Sequence, residues 1–302
     1  MRLVIDHLNN LRLWPSVNLR KALPFIIGWP IVSLFILFIP FASAYPSGTA
    51  KADSLIAVIG SLPEDSNKVN SIIEVANSFI MTTPEKTVKY GEQARDLAVA
   101  VNYQKGLGYA YKAIGMGYYF EGDYVNTLFN WQESMETFRS IDDKLGMANM
   151  LNNLGAVYFN QGDDQAAIEY YLPSLKASEE LGDTLRIATA LVNIGAVYFN
   201  KQASHDMALD YYSRALPLVK TLKDFEAIGT VSVNMGEIFL VRNNIDSALV
   251  YFEDALNAYT ISESVKVAYT LNNIGKAYAR LGELEKAAEF QQDAFEKAEN
   301  LD

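Results

Sequence analysis

The chain contains no cysteine, which removes disulfide frameworks and thiolate metal sites at once. It has two histidines, His7 and His205, too few for a histidine-based metal cluster or a relay of acids and bases. Proline is sparse as well, nine in 302 residues, and with half the chain hydrophobic and 12% aromatic this argues for a packed core over disorder. Positive charge is the next shortage: 25 basic against 36 acidic residues give a net −11. The first 44 residues hold Arg2, Arg12, Arg20 and Lys21 against Asp6, a local +3, which leaves −14 on the rest. Such an acidic body repels phosphate backbones, so nucleic acid is not an expected partner.

One long uncharged run is present. It extends from Ala22 to Ala44 behind Arg20 and Lys21, and Ala42-Ser43-Ala44 supplies the small-x-small pattern of a cleavage site. Residues 1–44 therefore read as a signal peptide or an uncleaved signal anchor, and the charge asymmetry places the remainder of the chain outside the cytoplasmic membrane. Pro24, Gly28, Pro30 and Pro40 would break a buried soluble helix of this length. The expected location is thus exported, periplasmic or membrane-anchored, with membrane association through residues 22–44. Residues 45–65 read as a linker, YPSGTAKADS, and a leading helix from Ala52 that Asp53 or Ser54 would cap.

The remainder is self-similar. YKAIGMGYYF, LNNLGAVYFN, LVNIGAVYFN, VSVNMGEIFL and LNNIGKAYAR are copies anchored on Gly115, Gly155, Gly195, Gly236 and Gly275, spaced 40, 40, 41 and 39 residues apart. A period of that size marks a repeat architecture. Within the unit from Lys144, apolar residues Ala148, Leu151, Leu154 and Tyr158 fall on one helical stripe. Gln161-Gly162-Asp163 ends that helix and caps the next, whose stripe is Ala167, Tyr170, Tyr171 and Leu175. Each unit is expected to be a helical hairpin, and a lone hairpin cannot bury its stripe, so the units must stack.

Six positions recur in phase: Leu154, Gly155, Tyr158, Ala167, Tyr171 and Ser174, then Ile194, Gly195, Tyr198, Ala208, Tyr212 and Ala215, then Met235, Gly236, Phe239, Ala248, Phe252 and Ala255. The last copy keeps Ile274, Gly275, Tyr278, Ala287 and Ala294 but has Gln291 for the aromatic, and the Gly115 copy has Thr127 and Trp131. This pattern resembles the tetratricopeptide repeat family, in a long-period form similar to kinesin light chain-like arrays and to the extracytoplasmic arrays of bacterial signal transducers. The resemblance implies an all-α, right-handed solenoid of antiparallel helix hairpins over residues 66–302. About six repeats are expected, 66–104 (degenerate), 105–143, 144–183, 184–224, 225–264 and 265–302. Pro173 and Pro217 fall inside second helices and should kink them.

No catalytic constellation emerges. Ser204-His205-Asp206 is contiguous in sequence and reads as a solvated turn. Gly106-x-Gly108 and Gly115-x-Gly117 sit inside helical stripes and not after strands, so they read as packing glycines. The chain is therefore expected to be no enzyme and to need no cofactor or metal.

The functional signal is a ladder of asparagines. Asn153, Asn193, Asn234 and Asn273 each stand two residues before a signature glycine, and asparagine is a mediocre helix former. The resemblance implies that first helices line a concave groove in which such carboxamides hold the backbone of an extended peptide. The amides could equally satisfy helix backbones inside the stack. One turn beyond the glycines lie Tyr119, Phe120, Phe159, Asn160, Phe199, Asn200, Leu240, Val241, Ala279 and Arg280, an aromatic and amide set in the early repeats. At these positions the lysine/arginine clamp by which some family members grip a C-terminal carboxylate is missing. The expected partner is a protein or an extended peptide segment, and the expected function a binding scaffold outside the cytoplasmic membrane. The alternative is the sensory input region of a larger signal transducer, since no polar capping helix is evident before Leu301-Asp302.

Overall fold

A computed structural model describes residues 49–299. The leader expected over residues 1–44 lies outside the described residues. Thirteen α-helices succeed one another, with one short 3-10 turn and no strand among the described residues: α1 (Thr49–Ile59), α2 (Ser66–Ser78), α3 (Pro84–Ala100), α4 (Gln104–Glu121), α5 (Tyr124–Ser140), α6 (Lys144–Asn160), α7 (Asp164–Leu181), α8 (Thr184–Phe199), α9 (His205–Leu222), α10 (Phe225–Val241), α11 (Ile245–Ile261), α12 (Val267–Leu281) and α13 (Leu284–Glu299). Consecutive helices pack in antiparallel pairs, and each first helix from α4 onward also touches the first helix of the next pair. The fold is an all-α solenoid of helix hairpins.

Turn chemistry sets the period. Asp123, Asp143, Asp163, Asp183, Asp224 and Asn244 each accept the backbone N–H three residues on, which satisfies one orphan donor of the next helix. In each case the residue before the cap is left-handed, a glycine at Gly182 (φ 65°) but a lysine at Lys223 (φ 56°). A left-handed stop and then a cap make a very short reversal, which forces neighbouring helices together. The reversal between α8 and α9 is longer and holds the extra residue of NKQASHDM, taken up by a 3-10 turn at Gln202–Ser204.

The signature glycines are where the two helices of a hairpin touch. A Cβ on Gly155 would lie 2.7 Å from the Tyr171 ring, on Gly195 2.5 Å from Tyr212, and on Gly236 2.6 Å from Phe252. These rings are buried, so the second-helix aromatic fills the interior of its own hairpin. Trp131 does the same at Gly115, its indole N–H donating to the Lys112 carbonyl at 3.1 Å. The other Gly-x-Gly residues are also contact points: Gly108 faces Phe138, and Gly117 faces Val88 and the Pro84 carbonyl.

Two expectations need correction. Helix α1 begins at Thr49 and takes in part of the supposed spacer, so Asp53 and Ser54 lie within the helix and do not cap it. Pro173 and Pro217 fall inside α7 and α9, as expected, and both helices run continuously through them. His205 is no solvated turn residue: it is 8% exposed, stacks on Phe199 at 5.9 Å and places Nε2 3.2 Å from the Phe199 carbonyl.

Gly195→Ala should lower stability by about 1–3 kcal/mol despite alanine's better helix propensity, because the Tyr212 ring cannot retreat from the new methyl. Gly275→Ala meets Gln291 Cγ at 3.0 Å and the Ala287 carbonyl at 3.2 Å, and with no ring to displace it should cost less than Gly195→Ala. Removing a cap, Asp163→Ala, should cost about 1 kcal/mol. Thermal denaturation monitored by circular dichroism separates the three.

Candidate groove and its polar rungs

The first helices α4, α6, α8, α10 and α12 carry the candidate groove. Their asparagines are cross-links as much as ladder rungs. Asn193 on α8 donates Nδ2 to Asn152 Oδ1 on α6 at 2.9 Å. Asn234 on α10 donates to the Tyr212 hydroxyl of α9 at 2.8 Å, and Asn273 on α12 donates to Glu237 of α10 at 2.9 Å. Each amide reaches back to the preceding hairpin, so the packing role weighed from sequence is present. Asn153, Asn193 and Asn234 are half-buried and keep Oδ1 unengaged among the described residues, whereas Asn273 is 2% exposed and its oxygen accepts from Lys276 at 3.0 Å. The last rung therefore lies inside the stack.

The aromatic and amide positions divide in the same way. Tyr119 is 8% exposed, stacks on Trp131 at 5.6 Å and receives a hydrogen bond from Asn160 Nδ2 of the next hairpin. Burial of its phenol disfavours the phenolate, so its pKa moves up. Tyr119 and Asn160 thus join neighbouring repeats. Phe159 and Phe199 are half-buried, while Asn200 is exposed as the C-cap of α8. Phe120 packs edge-on to Tyr119 at 5.7 Å, and Arg280 reaches the Leu240 carbonyl of the preceding hairpin.

Two charged clusters on these helices escaped the sequence reading. The first surrounds Glu237: the Tyr269 hydroxyl and Asn273 Nδ2 both donate to its Oε1, and burial, opposed by those bonds and by Lys276, raises its pKa. The second joins Arg186 on α8 to Asn149 on α6, and Lys112 on α4 feels the Arg186 charge. Arg186 Nε donates to Asn149 Oδ1 at 2.8 Å, and its guanidinium also pairs with Asp183. Lys112 is half-buried; burial first, and the Arg186 charge second, lower its pKa to about 8. Lys112 and Arg186 both stand ahead of their glycines, away from the turn that carries the aromatic and amide set. Projecting each copy onto one helical wheel would have placed Lys112 beside the asparagine face.

Among the described residues, no cluster of three or more His, Asp or Glu could hold a metal ion, and no helix is long and apolar enough to cross a membrane.

The tetratricopeptide repeat family model matches residues 146–221 and 227–300. No curated protein matches the chain. Among solved structures, BtubC (BKLC) from P. vanneervenii is similar at 21% identity and a TM-score of 0.64, over 74% of this chain and 92% of that one. A signal transduction ATPase with numerous domains from Pyrococcus horikoshii, with a tetratricopeptide repeat sensor, superposes with a TM-score of 0.72 at 13% identity, over 83% of this chain and 40% of that one. A Rap protein complexed with competence and sporulation factor matches at 16% identity and a TM-score of 0.56, over 83% and 72%. At these identities the solved structures speak for the fold. With the matched family model, the in-phase signature and the stacked glycine–aromatic hairpins, the chain belongs to the tetratricopeptide repeat proteins.

Proposed function

We infer that the chain is a scaffold without an activity of its own, which holds an extended protein segment in the groove of its first helices. The observation that carries this reading is the division of labour within Asn193 and Asn234. Each amide nitrogen is fixed to the preceding hairpin, and each carbonyl oxygen is left open on its first helix. An acceptor held in place by its own nitrogen has little rotamer entropy left to lose, so it suits the backbone N–H groups of an incoming strand. Half-buried Phe159 and Phe199 on the same helices add apolar contact area. A Rap protein of the same fold is complexed with competence and sporulation factor, which favours a protein or peptide occupant here.

The uncharged run from Ala22 to Ala44 and the basic residues ahead of it support a location outside the cytoplasmic membrane, with the leader as signal peptide or anchor. A sensory input role within a larger transducer is the second reading. It is favoured by the repeat sensor of the Pyrococcus horikoshii ATPase, and it shares the same groove.

The full chain, used as bait against an envelope fraction, should recover a partner that Asn193→Ala/Asn234→Ala loses by about tenfold or more, the effect of two hydrogen bonds. Tyr212→Phe serves as the control, since it breaks the inter-repeat bond to Asn234 and leaves the carboxamide in place. Capture reduced equally by both variants would assign the asparagines to packing. Capture unchanged by either would remove the groove.

A further inference from the structure

Glu237 stands on α10 at the seam between the last two hairpins, half-buried, and its two oxygens are held differently. Oε1 receives both cross-links from α12, one from the Tyr269 hydroxyl and one from Asn273 Nδ2 at 2.9 Å. Oε2 has no hydrogen-bond partner among the described residues. Neither donor is charged. The nearby cation, Lys276, gives its ammonium to Asn273 Oδ1 at 3.0 Å, and among the described residues Glu237 makes no ion pair. The other groups that sense its charge are phenols: Tyr212 on α9, Tyr259 on α11 and Tyr269 itself. Tyr212 and Tyr259 are buried, and their hydroxyls bond Asn234 and Thr230. Among the described residues no second acid acts on Glu237, and Lys276 is the one charge that does.

We propose that Glu237 is a proton-operated latch between the last two hairpins, which holds α12 more firmly on α10 when the carboxyl is neutral than when it is ionised. The division of its oxygens allows this. A proton settles on Oε2, which has no donor to lose, while Oε1 goes on accepting from Tyr269 and Asn273. Both cross-links survive, and the cost of keeping an unpaired charge partly out of water disappears. The ionised form bonds the same two donors more strongly, but two neutral donors on one oxygen do not replace the water lost from both. Burial accordingly outweighs the two bonds and Lys276, and the pKa of Glu237 moves up. A carboxyl whose folded value lies above its unfolded one adds stability in acid. That contribution is complete below the usual carboxylate value of about 4.3 and is lost as pH rises through the folded value. Since α10 and α12 both carry the candidate groove, mild acid stiffens its last rungs, whether or not anything occupies them.

Amide hydrogen exchange of the full chain tests this, read by mass spectrometry on peptides covering α12 and corrected for the intrinsic effect of pH on exchange. Measurements at about pH 7 and about pH 4.5 bracket the expected change. Wild-type α12 should gain protection several-fold on acidification. Glu237→Gln fixes a neutral side chain of the same shape, so its α12 should be several-fold better protected than wild type at pH 7, with the ratio falling toward one at pH 4.5. Other carboxylates of the last hairpin, Glu283 and Glu285 among them, titrate in both proteins and cancel in that ratio. Tyr269→Phe removes a donor whose bond to the ionised form is the stronger, so α12 should lose more protection at pH 7 than at pH 4.5. Circular dichroism shows whether each variant is folded.

A ratio of Glu237→Gln to wild-type protection that is the same at both pH values overturns the proposal. So does a Glu237→Gln α12 less protected than wild type at pH 7, because the ionised form would then be the tighter one. An equal loss at both pH values in Tyr269→Phe overturns it as well, since the hydroxyl would not be bonding the group that titrates. Where Glu237→Gln does not fold, the tyrosine variant decides alone.

Discussion

An aromatic ring lying against a glycine is the contact on which this molecule depends. At Gly115, Gly155, Gly195 and Gly236, the space a Cβ would need is already occupied by ring atoms. The glycine carries a helix-propensity cost of about 1 kcal/mol relative to alanine, and the burial of a whole tyrosine or phenylalanine at that spot returns more. Close approach of the two helices then fixes the short reversals, and the reversals fix the alternation of left-handed stops and polar caps. The terminal hairpin, with Gln291 over Gly275, keeps the geometry but has a flexible chain where the others have a rigid ring.

Hairpins of this kind still need something to hold one to the next, and much of what does so is polar. Asn160 to Tyr119, Arg186 to Asn149, Asn193 to Asn152, Asn234 to Tyr212 and Asn273 to Glu237 all run from a later first helix to the hairpin before it. Half-buried amides suit this task, since they can bond a neighbour with one end and present the other. Asn193 and Asn234 are therefore structural while their oxygens stay unengaged among the described residues, and the helix-propensity cost of placing them mid-helix is offset inside the protein by these bonds.

Fold and period were legible in the sequence because they are written in residues with few alternative uses: a glycine mid-helix, a ring four residues after an alanine, and Gly-Asp at the reversals. The capping aspartates were visible for the same reason. The site was only partly legible. Asn153 and Asn193 read the same on paper as Asn273, yet the last is buried and bonded to Glu237 and Lys276, and no single-repeat pattern contains that information. His205 looked exposed because insertions usually are; its ring instead found Phe199. Lys112 and Arg186 belong to different repeats and different registers, so only the superposition of successive helices brings them together.

The direction of the cross-links has a mechanical consequence. Each bond ties a helix to its predecessor, so the solenoid behaves as a one-dimensional chain whose nearest-neighbour couplings include polar terms. Fraying of the last hairpin would take away the two donors that steady Glu237, leaving a buried carboxylate bare and α10 less stable in turn. Loss of order at that end is thereby felt one repeat inward, and anything that fastens α12 stiffens the groove behind it.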